Sequence, residues 1–97
     1  MEIITSLNDD LLKAAQDENT TPQMIQDLIK SGADVNAKDK ISRTALMFAA
    51  KRNSNVEVIE NLINAGADIN AKDIDGKSAL DYAQNEEIRK IILNSAQ

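Results

Sequence analysis

Four aspartates, Asp34, Asp39, Asp68 and Asp73, stand in this chain as one pair written twice, the second pair 34 positions after the first. Clustered carboxylates are where acid–base or metal chemistry is first sought. The stretch "DIDG" at 73–76 has the look of part of a calcium loop. Placing Gly76 at the loop's sixth position puts Ala71 at the first, where a carboxylate is required, so that reading fails. The chain has no His and no Cys, which removes the usual neutral-pH base, the thiol nucleophile and the ordinary zinc ligands. No Gly-rich phosphate loop is present either. The expectation is a non-enzyme with no cofactor and no metal, whose aspartates hydrogen-bond the backbone of turns.

Composition points the same way. Ninety-seven residues make one domain near the lower size limit of a self-sufficient core. Phe48 and Tyr82 are the only aromatics, and the remaining apolar content is Ile, Leu, Ala, Val and Met, the filling of close-packed helices. No apolar run approaches the roughly 20 residues of a membrane span. "MEIITSLNDD" has no basic n-region, and Glu2 stands where a myristoylation signal needs Gly, so a cytoplasmic protein is expected. The net charge of -5 disfavours nucleic acid and anionic membrane surfaces as partners.

The aspartates belong to a longer duplication. "LIKSGADVNAKD" ends at Asp39 and "LINAGADINAKD" at Asp73, and residues 28–50 match 62–84 at twelve identical and four conservative positions. A fainter third copy lies in "LLKAA" at 11–15, which precedes "LMFAA" at 46–50. Repetition at this period is how stacked structural units are written, because each unit buries its apolar face only against a neighbour.

Each unit reads as two helices and a loop. Thr44 and Ser78 are hydroxyl N-caps, with Asp81 three residues after Ser78 in capping-box spacing. Leu46, Ala49 and Ala50 share one helical face. Thr21 caps a second helix with Pro22 at its first position, and Ser54 with Glu57 has capping-box spacing in the next unit. Ile25, Leu28 and Ile29, then Val56, Ile59, Leu62 and Ile63, form buried stripes. Gly32 and Gly66 end these helices in the left-handed region. Asn85 caps a last helix carrying Glu86 and Glu87 at its positive end, with Ile88, Ile91 and Ile92 buried.

On these residues the chain resembles an ankyrin repeat protein. "GADVNAKD" and "GADINAKD" match the first half of that family's pattern, whereas "TALMFAA" and "SALDYAQ" depart from its Thr-Pro-Leu-His segment. The resemblance implies an all-α solenoid of helix-turn-helix units joined by hairpin-like loops. It divides the chain into an N-terminal capping repeat over about 8–39, an internal repeat over 40–73 and a C-terminal capping repeat over 74–97.

The resemblance also implies function: a protein-interaction module, expected to be a monomer on its own, that occludes or tethers its target as inhibitor, adaptor or effector. A structural spacer is the alternative, and a ligand-sensing or catalytic domain a remote one. In the family, partners meet the loop tips and the inner face of the first helices. Carried over, these positions are Lys40, Ile41, Arg43, Met47, Lys51 and Arg52, then Ile74, Asp75, Lys77 and Asp81. Ile41 and Ile74 would stand at turns that have no structural use for Ile. Met47 replaces a polar imidazole and suits an adaptable surface. Phe48 and Tyr82 match the family's buried Leu and are expected in the core. Lys40, Arg43, Lys51 and Arg52 make the middle unit a basic strip in an acidic protein, which would steer a complementary partner.

Overall fold

A computed structural model describes residues 7–52 and 55–95. Six helices follow one another: α1 (Leu7–Gln16), α2 (Pro22–Lys30), α3 (Ala45–Arg52), α4 (Val56–Asn64), α5 (Ala79–Tyr82) and α6 (Glu86–Ser95). Successive helices pair as α1/α2, α3/α4 and α5/α6, while α1, α3 and α5 form an inner row and α2, α4 and α6 an outer one. The result is a slab of 45 × 28 × 22 Å. Among the described residues there is no strand, only an isolated antiparallel bridge between Lys38 and Thr44 at the neck of a loop.

Local chemistry sets the helix boundaries. Thr21 Oγ1 accepts the Met24 N–H at 3.3 Å, with Pro22 in the first turn as expected. Thr44 Oγ1 accepts the Met47 N–H at 3.4 Å. The Asp81 carboxylate reaches back to the Ser78 N–H at 2.9 Å. Asn85 Oδ1 accepts the Ile88 N–H at 2.9 Å. The expectation at α4 is corrected: its N-cap is Asn55, whose Oδ1 accepts the Glu57 N–H at 3.0 Å, and Ser54 lies outside the described residues. Each such cap contributes on the order of 1 kcal/mol.

The glycines close α2 and α4 as Schellman motifs. Gly32 has φ 114° and Gly66 φ 103°. After each, the next N–H turns back across the helix end, Ala33 to the Leu28 carbonyl and Ala67 to Leu62, both at 3.0 Å.

Packing is densest around α3, which has an inner-row neighbour on both sides. All of residues 45–50 are buried, not just the Leu46, Ala49 and Ala50 face. Small Ala side chains let the three inner helices approach closely. In the outer row Ile25, Val58, Ile59, Leu62, Ile88 and Ile92 are buried, with Val56, Ile63 and Ile91 packed at the margin. Helix α5 is cut to 4 residues because Ala83 turns extended (ψ 123°) and Gln84 donates to the Ala50 carbonyl at 3.2 Å. That bond satisfies a C-terminal carbonyl of α3 from the next unit.

An asparagine ladder holds the stack in register. Asn8 Oδ1 accepts the Asp34 N–H at 2.7 Å. One unit on, Asn36 Oδ1 accepts the Asp68 N–H at 2.6 Å while its amide donates to the Gly66 carbonyl at 3.1 Å. In the outer row Gln26 donates to Asn61 at 2.9 Å. With Asn55 aligned on Asn85, the apolar positions Val56 and Ile59 of α4 become Glu86 and Arg89 in α6, both exposed, with a carboxylate oxygen 4.0 Å from Arg89 Nε.

Candidate protein-docking face

Two loops project from the inner row, and their rigidity comes from the aspartates that opened the sequence. Asp39 Oδ1 accepts the N–H groups of Ile41 (3.0 Å) and Arg43 (2.8 Å). Asp73 Oδ1 accepts those of Asp75 (2.9 Å) and Lys77 (3.0 Å). Backbone bonds close each loop, Asp39 N–H to the Arg43 carbonyl at 3.0 Å and Asp73 N–H to Lys77 at 2.9 Å. Asp34 and Asp68 do the same lighter work, each accepting the N–H two residues on at 2.9 Å. The turn reading of all four aspartates holds.

The second oxygen of each loop carboxylate distinguishes the units. Asp39 Oδ2 accepts Arg43 Nε at 2.9 Å, and the guanidinium lies 4.7 Å from the centroid of Phe48. Asp73 Oδ2 accepts the hydroxyl of Tyr82 instead. Lys77 replaces Arg43 and Tyr82 replaces Phe48 at the same places in the repeat. The donor that Arg43 supplies to the carboxylate in one loop is supplied by the Tyr82 phenol in the other. Electrostatics follow from this wiring. Burial pushes the Asp39 carboxyl up, but the Arg43 backbone, the Arg43 side chain and the Ile41 N–H together hold it below the usual range. The Tyr82 hydroxyl, with the Lys77 N–H, holds Asp73 low as well. Tyr82 is pushed up to about 12, first by its bond to Asp73 and then by burial.

The ten candidate contact residues divide on inspection. Lys40, Lys51, Arg52, Ile74, Asp75, Lys77 and Asp81 are exposed. Ile41 is half-buried, and its carbonyl accepts the Ile74 N–H at 3.0 Å, which joins the two loop tips. Met47 is corrected: it is 1 % exposed, with its sulfur receiving the Thr44 N–H at 3.4 Å. It fills space between helices and caps its own helix start, so no partner reaches it. Arg43 is corrected in part. It is half-buried and committed to Asp39 and Phe48, so it braces the loop more than it offers a free charge. Asp81, although exposed, is also the α5 cap.

Phe48 is buried as expected, but Tyr82 lies at the surface of the core with part of its ring open. Lys51 Nζ stands 5.8 Å and Lys77 Nζ 5.9 Å from its centroid. The sequence carried a signal for this group: where the core needs only Leu or Phe, a Tyr announces a hydroxyl that must find a partner.

Around these groups the face is uneven. One hollow is lined by Asp9, Lys40, Ile41 and Arg43, and another by Gln16, Glu18, Lys51 and Arg52. Lys51 and Arg52 also occupy the last turn of α3, where cations complement the exposed carbonyls. The chain's accessible surface is 5550 Å², so a standard interface of about 800 Å² per partner fits on this one side.

A search among curated proteins returns no match. Paired helices in two rows, glycine-terminated outer helices and carboxylate-braced loops recur here unit by unit. The family model for ankyrin repeats in three copies matches residues 11–97, and the chain belongs to the ankyrin-repeat family.

Proposed function

We propose that this chain binds a protein partner across its two loop tips and the exposed edge of α3 and α5. Ankyrin repeats are generally protein-interaction modules, and domains of this kind are typically non-catalytic. The observation that carries the reading is Ile74, 67 % exposed on a loop that Asp73 and the Ile41 carbonyl hold rigid. An apolar side chain on a fixed tip loses little freedom on binding, so its burial goes into affinity. Lys40, Asp75 and Lys77 flank it with charges that fix orientation. The partner is occluded or tethered by a single unit of this chain. The first and third repeats act as caps, with Glu86 and Arg89 turning the last outer helix toward water.

Affinity capture from source cells tests this. Ile74→Ser with Lys40→Glu should lose the partner that the wild-type chain retains, with helicity and melting unchanged. Gln23→Lys with Glu60→Lys, on the outer helices, should retain it. The opposite pattern would put the partner on the back of the slab, retention by both variants would put it on neither surface, and capture of no partner by the wild-type chain would favour the spacer reading.

A further inference from the structure

The two ammonium groups beside Tyr82 form no ion pair, although Lys77 helps to hold the Asp73 carboxyl low and Glu18 shares a hollow with Lys51. Among the described residues the ion pairs are Arg43–Asp39 and Arg89–Glu86, and neither involves Lys51 or Lys77. The acids near the ring are otherwise engaged. Asp39 is paired with Arg43, and Asp73 is bound to the Tyr82 hydroxyl and its own loop. Asp81 is turned back to Ser78. Asp75 is exposed but lies within ion-pair distance of neither lysine. Two like charges thus stand 5.8 and 5.9 Å from the centroid of one ring, and a bound anion would be attracted by both. One residue beyond Asp73 stands the exposed Ile74, tied to Ile41 across the tips. Charge and apolar surface therefore adjoin.

We infer that Lys51, Lys77 and Tyr82 receive a carboxylate side chain from an acidic segment of the partner, whose neighbouring apolar residue covers Ile74 and Ile41. This rests on the reading of the loop side as the docking face and specifies its chemistry. A carboxylate brought beside the ring takes a charge-assisted hydrogen bond from a lysine within reach and is drawn by the charge of the other. Nucleic acid fits less well: the whole chain carries -5, and the half-open Tyr82 has no second aromatic to continue a base stack. A free phosphate would leave the isoleucine tips unused.

Tyr82 also supplies the readout. It is the chain's single Tyr and there is no Trp, so its emission reports this place alone. The full chain is titrated with a short peptide of alternating Glu and Leu, and separately with a Lys–Leu peptide, inorganic phosphate and single-stranded oligonucleotide. The Glu–Leu peptide should give a saturable change that weakens with salt. Lys51→Glu with Lys77→Glu, confirmed folded by circular dichroism, should bind it at least about ten-fold more weakly. Arg89→Glu should bind as wild type. No saturable change with the Glu–Leu peptide overturns the inference, as does equal binding by the double variant. It also falls if the Lys–Leu peptide, phosphate or oligonucleotide produces the response as well as the Glu–Leu peptide does. Should the peptide fail while Ile74→Ser with Lys40→Glu still abolishes partner capture, the docking face stands and only the acidic partner is wrong.

Discussion

At the scale of single residues, the two loops solve one problem with different atoms, and the differences make predictions. Ser42 occupies the left-handed region at φ 68°, where the next unit has Gly76 at φ 80°. A side chain there costs roughly 1–2 kcal/mol, partly offset by the greater freedom of glycine in the unfolded chain. Ser42→Gly should therefore stabilise by about 1 kcal/mol in urea unfolding, and a loss of stability would show that Ser42 makes a contact beyond its turn. The Tyr82–Asp73 bond predicts a pH dependence. Asp73 and Asp39 have depressed carboxyls, so their contribution is present above the unfolded value near 4 and is lost as pH falls through the lower folded values. Tyr82 is raised to about 12, so its contribution is complete below the unfolded value near 10 and is lost as pH rises from there toward 12. Tyr82→Phe should abolish the alkaline limb and bring Asp73 back toward the ordinary range by carboxyl NMR titration. Adding Lys77→Arg should hold Asp73 down again, as Arg43 does for Asp39. An Asp73 titration indifferent to Tyr82→Phe would contradict the assigned wiring.

At the scale of elements, most of the architecture was legible because independent signals agreed. Glycine at the helix ends, Thr21 before Pro22, and Asn85 ahead of two acids each have one local use, and the structure uses them so. Where two residues offered the same chemistry, types alone could not decide. Ser54 and Asn55 are both good caps, and the structure chooses Asn55. Met47 was misplaced because the surface position came from the family's imidazole. In this chain a sulfur beside the Thr44 N–H draws the side chain inward. Arg43 read as a contact residue because its position is carried over from the family; its partner Asp39 is four residues away, around a loop rather than along a helix. Tyr82 was assigned to the core on its resemblance to Leu, which ignored its hydroxyl. The last outer helix carries its own test. Glu86→Val with Arg89→Ile restores the apolar pair of α4, and the altered chain should self-associate in light scattering as the bared face seeks a neighbour. A variant that stays monomeric would show that those two positions do not govern stacking.

At the scale of the whole molecule, function reduces to which side of a thin slab is free to bind. The outer row carries the Gln26–Asn61 bridge and exposes Met24 and Leu93, each less open than Ile74. The loop side concentrates a more exposed Ile, two lysines outside any described ion pair and a half-open Tyr on a frame braced by backbone-to-carboxylate and backbone-to-backbone bonds. Such a surface is preorganised, and preorganisation is what lets a small repeat stack bind without refolding. The most direct test is to place a photoreactive side chain at position 74, or at position 23 on the outer row, and irradiate each chain in source-cell extract. A protein cross-linked from position 74 and not from position 23 is the predicted result. Cross-linking of the same protein from position 23 alone would contradict the account.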